Sequence, residues 1–265
     1  MDRLTLLHDR AVRNAFASAL RTVRIGTSLE YHDVIATTMT RGEDLVRGGT
    51  ADGTIVVADH QTAGRGRHGR RWGYGGAGAQ LLASWLVEMP ISLAPLVTVL
   101  TSVAMLRASR SLGVEALSVK WPNDLLLGGR KVAGVLATSV RSPSGADWLV
   151  LGTGIDVHTR DHPEEVRAHV TSFAREGHVI DRLALLAHLA AELERIVEAD
   201  AATRIVAMRE WRQASATIGH RVRVEDGTHG FEADAIDLAE DGALLVRRSG
   251  AVERVLAGDV SVRSL

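Results

Sequence analysis

Two stretches of the chain gather side chains suited to a charged ligand. The first is Gln61-Thr62-Ala63-Gly64-Arg65-Gly66-Arg67-His68-Gly69-Arg70-Arg71-Trp72, which continues through Gly73, Gly75, Gly76 and Gly78. Arg65, Arg67, Arg70 and Arg71 alternate with glycines, so guanidinium forks and freed backbone N–H groups can close on the same phosphate or carboxylate oxygens. Trp72 adds an indole that could stack on a purine. Gly64, Gly66 and Gly69 spell a literal G-x-G-x-x-G, with Glu88 further along. A dinucleotide site also needs a helix opening at the end of that motif, and a run this rich in glycine cannot propagate one. Taken alone, an Arg-Gly run fits a solvated basic loop, or loose nucleic-acid contact, as well as it fits a built anion site.

The second stretch is Lys120-Trp121-Pro122-Asn123-Asp124, followed by Gly129-Arg130-Lys131-Val132-Ala133-Gly134-Val135-Leu136. Of 31 Lys plus Arg residues only Lys120 and Lys131 are lysines. A coding bias explains the scarcity. Two survivors in one stretch fit either chance or sites where a compact ammonium cannot be replaced by a guanidinium fork. Pro122 ends a strand and forces a turn, which leaves Asn123 and Asp124 at the strand's end. An Asn-Asp pair in a turn is ordinary turn chemistry. Lys131 returning on the next strand lets a carboxylate and an ammonium face one pocket, as a metal and phosphate site requires.

The surrounding elements are those of an α+β chain. Apolar spacing predicts a helix from Asp2 to Leu20 and a long core helix over Ser92 to Leu112, with Gly113 as its stop. Asp181 caps another helix through Leu183, Leu186, Leu189, Leu193 and Ile196, and a shorter one ends near Trp211. Strand-like runs cover 33–37, 54–58, 81–87, 117–120, 125–127, 132–139, 148–151 and 155–157. From Thr217 the texture changes to short alternating strands at 221–225, 231–237, 244–247 and 252–256. They are punctuated by Asp226-Gly227, Asp241-Gly242 and Ser249-Gly250, the pattern of a small meandering barrel. A boundary near Ala216 divides the chain into residues 1–215 and 216–265. His158 and His162 lack an intervening Glu and adjoin Pro163, so a surface loop is expected there. Trp211 is expected to pack between the two parts.

Composition narrows the function classes. The chain has 265 residues, a net charge of -1, 46% apolar residues and no cysteine. It can bury a large core, and it has no disulfide framework, thiolate ligand or Cys nucleophile. Near-neutral charge argues against coating nucleic acid or an anionic membrane. No uninterrupted apolar run approaches the roughly 20 residues of a membrane span, and the start shows no signal-peptide core, so a cytoplasmic setting is expected.

Gln61 to Trp72, Lys120 to Asp124 and Arg130 to Leu136 resemble the three signature segments of biotin–protein ligases, in the same order and at similar spacing. The resemblance extends over nearly the whole chain after about residue 30. It implies a mixed-sheet catalytic domain of the biotin/lipoate ligase type followed by a small C-terminal SH3-like β-barrel. The form expected is the one without an N-terminal DNA-binding domain, with neither DNA nor membrane expected as partner. It further implies that biotin and ATP, with Mg²⁺, form biotinyl-5′-AMP and pyrophosphate. The biotinyl group then passes to a lysine of a biotin carboxyl carrier domain of a biotin-dependent carboxylase.

Carried over residue by residue, the resemblance puts Gln61, Gly64, Arg65, Gly66, Arg67, Lys131 and Gly134 against biotin. Arg67, Arg70, Trp72, Lys120, Asn123 and Asp124 fall to ATP and the adenylate, with Asp124 also at the metal, and Lys131, Arg67 and Arg65 carry the chemistry. There are two departures. The family's Ser-Thr-Asn, which bonds the biotin head group, is matched to Thr40-Arg41-Gly42. The family's Gly-x-Gly-x-Asn becomes Gly152-Thr153-Gly154-Ile155-Asp156, which would place the Asp156 carboxylate near the nucleotide. A lost buried partner costs about 1–3 kcal/mol, so weaker biotin binding or a different acid is implied. A ligase or transferase for lipoate or octanoate on the same fold therefore stays open. A non-catalytic effector or nucleic-acid-binding protein is the third reading, with the near-neutral charge and the absence of a winged-helix start against it.

Overall fold

The computed structural model describes residues 3–225, 230–257 and 261–264. A 3₁₀ turn at Arg3–His8 precedes α1 (Arg10–Ala19). The single helix expected from Asp2 is broken because the Asp9 carboxylate accepts the Ala11 and Val12 N–H groups and caps α1 there; Asp2 lies outside the described residues. Then come β1 (Leu29–Ile35), α2 (Thr38–Arg47), β2 (Ile55–Gln61), β3 (Gln80–Glu88), α3 (Ala94–Arg110), β4 (Leu117–Lys120) and β5 (Asp124–Leu127). β6 (Arg130–Arg141), β7 (Asp147–Asp156), α4 (Glu164–Arg167), α5 (Arg182–Val197) and α6 (Ala201–Gln213) follow. The chain ends in β8 (Arg221–Glu225), β9 (Gly230–Leu238), β10 (Leu244–Arg248), β11 (Ala251–Val255) and β12 (Ser261–Ser264).

Seven strands form one sheet in the order β1-β2-β3-β7-β6-β5-β4, with β1 and β2 parallel and the other neighbours antiparallel. Both faces are covered. Ile55 and Val57 of β2 join the main core with α3 and α5, while Val56 joins a smaller cluster under α2 with Met39, Val46, Leu86, Val140, Trp148 and Val150. That double cover explains why β2 and β3 read as continuous apolar runs. The stretch Ile91–Arg110 is long and apolar enough to cross a membrane by composition, yet Leu96, Val99, Leu100, Val103 and Leu106 are buried in the core.

The pattern predicts two short strands at 148–151 and 155–157. One strand, β7, spans both, with Gly152 and Gly154 in its interior. Glycine in mid-strand weakens a sequence signal and marks a close approach by another group; here those groups are Met39 and Trp72.

β8 to β12 form a second, antiparallel sheet in the order β11-β10-β9-β8-β12; the predicted turn at Asp226-Gly227 lies outside the described residues. Across the seam, Trp121 Nε1 donates to the Gly242 carbonyl at 3.0 Å and Arg212 pairs with Asp237 at 2.6 Å. Trp211 spends its indole N–H on Ser102 of α3 at 3.1 Å, so the indole donating across the seam is Trp121.

Candidate active site

The strand register lays a row of positions across five strands: Ala58 on β2, Leu82 on β3, Gly154 on β7, Gly134 on β6 and Asp124 on β5. Two adjacent glycines in this row open a floor. Above it lies a cleft of about 940 Å³, walled by the start of α2, the Arg-Gly loop, the 120–124 turn and the 166–170 segment.

Lys131 reaches this floor because β6 is irregular. Leu125 pairs with Ala133 but Leu126 pairs with Lys131, so Val132 is an extra residue. Strict alternation would send positions 131 and 134 to opposite faces, and the bulge puts them on the same one. The Lys131 ammonium would lie 3.1 Å from a Cβ at Gly134, stands 5.2 Å from the centre of the Trp72 ring and is 2.5 Å from Asp124 Oδ1. The Asp124 contact is an ion pair whose angles do not make a hydrogen bond, so Oδ1 is buried without a hydrogen-bond partner. The Lys131 N–H donates to the His169 carbonyl at 2.9 Å and its carbonyl accepts from Thr171 at 2.8 Å, which fixes the backbone.

The Arg-Gly loop is closed by Gly66 N–H to Arg70 carbonyl at 2.7 Å and Trp72 N–H to Gly64 carbonyl at 2.9 Å. A Cβ at Gly64 would sit 2.2 Å from the Trp72 carbonyl oxygen, so this glycine is required by close approach. Trp72 is half-buried inside the cleft rather than exposed, its ring on Gly154 and its Nε1 without a partner. Arg65 pairs with Glu43 at 3.0 Å, and Arg67 donates to the Ala257 carbonyl of the C-terminal sheet.

A recess of the cleft lies at the start of α2. Gln61 Oε1 accepts from the Thr38 N–H at 2.7 Å and lies 3.1 Å from its hydroxyl, and Ser84 Oγ stands 2.8 Å from Thr38 Oγ1. Asn123 Nδ2 donates to the Val135 carbonyl at 2.7 Å, tying the 120–124 turn to β6.

Of the residues expected at the site, Gln61, Arg65, Gly66, Arg67, Arg70, Trp72, Lys120, Asn123, Asp124, Lys131 and Gly134 line this one cleft. Gly64 lines an adjoining cavity on the loop's outer side. Thr40, Arg41 and Gly42 do not face the cleft. Thr40 is exposed, and Arg41 forms a fork with Glu30 at 2.6 and 3.0 Å. Gly42 is packed against Leu86 and Val150 under the helix. The helical turn carries those three positions away, and Thr37, Thr38 and Met39 take the wall instead.

Asp156 is also turned from the cleft. It is 3% exposed, accepts from the Thr159 hydroxyl, and lies 3.0 Å from Nε2 of His162. His162 Nδ1 faces an Arg175 nitrogen at 3.1 Å; since a guanidinium only donates, Nδ1 accepts and Nε2 donates to Asp156. His162 is therefore buried, and not on a surface loop as its spacing predicts.

Thr37 to Met39, Thr153 and His169 also line the cleft, and no motif in the sequence marks Thr37 to Met39 or His169. Gly152-Thr153-Gly154 was the one signal available, since glycines flanking Thr153 within a strand mark a floor.

The cleft is strongly cationic. Four arginines and two lysines line it against a single carboxylate, Asp124. Among the described residues no group of three or more His, Asp or Glu could hold a metal by itself. Asp124 Oδ1, ion-paired with Lys131 but without a hydrogen bond, could serve as one ligand to Mg²⁺, with phosphates and water as the others.

The profile of the Biotin/lipoate A/B protein ligase family matches residues 31–156, and that of the Biotin protein ligase C terminal domain matches residues 217–263. The chain is 37% identical over 270 residues to the biotin--[acetyl-CoA-carboxylase] ligase of Mycobacterium tuberculosis, covering 96% of this chain and 95% of that one. It is 28% identical over 250 residues to the bifunctional ligase/repressor BirA of Bacillus subtilis, covering 92% of this chain and 76% of that one. Among solved structures it is similar to the biotin protein ligase from Aquifex aeolicus in complex with biotin and ATP. The identity is 26% and the TM-score 0.73, over 90% of this chain and 99% of that one.

Proposed function

Since the chain belongs to the biotin–protein ligases of the biotin/lipoate A/B protein ligase family, we propose that it makes biotinyl-5′-AMP and passes the biotinyl group to a lysine of a carboxylase's carrier domain. The observation that carries this reading is that Gln61, Lys131 and Trp72 line one cleft. An acid held in the recess would present its carboxylate to Lys131, and a nucleotide against Trp72 would bring its α-phosphate to the same ammonium.

In the first step a carboxylate oxygen attacks the α-phosphorus, an acyl–phosphate bond forms and pyrophosphate leaves. Both reactants are anionic, and charge builds at the α-phosphorus. Lys131, Arg67 and Arg65 are the cations this chain sets against that charge, and Arg70, Lys120 and Asn123 are set toward the nucleotide. Bound Mg²⁺, held by Asp124 and the phosphates, would neutralise charge on the leaving pyrophosphate. In the second step the carrier lysine's neutral amine attacks the acyl carbon, the amide forms, AMP departs and the amine's proton goes to solvent. No enzyme nucleophile is needed, in keeping with a chain that has no cysteine.

We assign the catalytic part to residues 1–215 and the C-terminal module to 216–265, supported by the change from α6 to the all-antiparallel second sheet. The consumption of ATP supports a cytoplasmic setting. The direct test is ATP–pyrophosphate exchange with biotin, with lipoate and with no acid. Exchange that requires biotin is expected; exchange with lipoate alone, or with neither acid, overturns the reading.

A further inference from the structure

The recess at the start of α2 is asymmetric in hydrogen-bond sense. The Thr38 N–H occupies Gln61 Oε1, so Gln61 offers the recess only its Nε2 donors. The Thr38 hydroxyl also donates to that oxygen and accepts from Ser84. Thr37 Oγ1 accepts the Met39 N–H at 3.3 Å, leaving its own proton to give. The Thr153 hydroxyl accepts from Trp85 Nε1 at 2.9 Å and donates to the Ala83 carbonyl at 3.3 Å, so its proton is spent. The protons this side can give are those of Gln61 Nε2 and Thr37 Oγ1.

Part of the wall beside these groups is apolar. Met39 is 4% exposed, and a Cβ at Gly152 would lie 2.6 Å from its Sδ, so the thioether lies over the glycine at the base of the recess. Leu136 continues this wall. A thioether is at best a weak acceptor. A ligand carbonyl is therefore well served here, and a ligand N–H directed at Met39 finds no strong acceptor.

We propose that Met39 sets the acid preference of this enzyme, by withholding an acceptor from one N–H of a cyclic urea while Gln61 and Thr37 bind its carbonyl. The inference rests on the biotin reading above, because biotin's ring carries one carbonyl and two N–H groups. An unsatisfied N–H of this kind weakens binding by about 10-fold or more.

The test is a set of pyrophosphate-exchange saturation curves for biotin and for lipoate, with wild type, Met39→Gln, Met39→Asn and Met39→Leu, each checked for a cooperative thermal transition. Glutamine keeps the length of methionine and adds an acceptor. Met39→Gln or Met39→Asn is expected to lower KM for biotin about 10-fold with kcat and KM for ATP within about twofold, and to leave lipoate, which has no N–H, unimproved. Met39→Leu, which adds no acceptor, is expected not to lower the biotin KM. Should neither amide variant fold, wild type decides: of the two biotins methylated on one urea nitrogen, one is expected to bind within about threefold of biotin. An unchanged or raised biotin KM in a folded amide variant overturns the inference, as does a Met39→Leu effect equal to theirs, or loss beyond about 10-fold for both methylated biotins. A wild type that uses lipoate and not biotin overturns the biotin reading instead; the Met39 inference then survives only if the amide variants gain activity toward biotin.

Discussion

A Cβ on Gly154 would lie 2.2 Å from the indole nitrogen of Trp72 and 2.4 Å from its Cε2, so the absence of a side chain at 154 is what seats the indole. Its backbone is not in the left-handed region, and alanine at 154 meets no conformational barrier of its own. Gly154→Ala is therefore expected to fold and to displace Trp72 from the cleft, raising KM for ATP by about 10-fold or more. Adding Trp72→Phe to Gly154→Ala should recover part of the loss by shrinking the ring. Steady-state kinetics on both variants checks this, and wild-type KM for ATP in Gly154→Ala would contradict it.

The same pair marks the limit of what the sequence could say. Gln61, Arg65 to Arg67, Arg70 to Trp72, Lys120 to Asp124 and Lys131, which line one cleft, were legible because the two stretches together match the spacing of a known family's signature segments. Thr37 to Met39 were not, because two threonines and a methionine at a helix start carry no periodicity, and Gly42 weakens the helix signal behind them. β7 was divided in two because its glycines serve neighbours distant in sequence, Met39 and Trp72. His162 was misplaced because burial against Asp156 depends on a turn that its own spacing does not encode. The bulge at Val132, which aims Lys131, is a property of strand pairing and has no local signature.

Asp156 gives a prediction on which geometry and family pattern differ. Its carboxylate is spent on Thr159 and His162, inside the protein. Asp156→Asn should leave KM for ATP within about twofold and lower stability by about 1–3 kcal/mol, through a weakened buried bond to His162. Chemical denaturation and ATP saturation curves read the two effects separately. A large KM change with unchanged stability would show that the carboxylate meets the nucleotide.

The N-terminal segment should be acid-sensitive. Glu194 of α5 accepts the N–H groups of Val23, Arg24 and Ile25 at 2.8, 2.7 and 2.8 Å. Burial pushes its pKa up, but the three N–H groups and Arg24 outweigh this and hold it below the ordinary carboxylate value. A depressed carboxylate adds stability that is fully present above the unfolded pKa of about 4.3 and is lost as pH falls through the folded value. Glu194→Gln is expected to cost about 1–2 kcal/mol at neutral pH and to flatten the stability loss between roughly pH 5 and pH 3. Urea midpoints across that range test it, and parallel profiles for the two proteins would contradict it.

The most direct test of the whole account is biotin-dependent ATP–pyrophosphate exchange by Lys131→Arg beside wild type. Lys131 keeps an ammonium in a chain that otherwise uses arginine almost throughout, on a floor where Gly134, Trp72 and Asp124 leave little room for a fork. The variant is expected to unfold at the wild-type temperature within a few degrees and to exchange pyrophosphate at least about 100-fold more slowly, a barrier increase of roughly 2.7 kcal/mol. Exchange at the wild-type rate would mean that Lys131 is not where the carboxylate meets the α-phosphate, and the site described here would not be the site of adenylation.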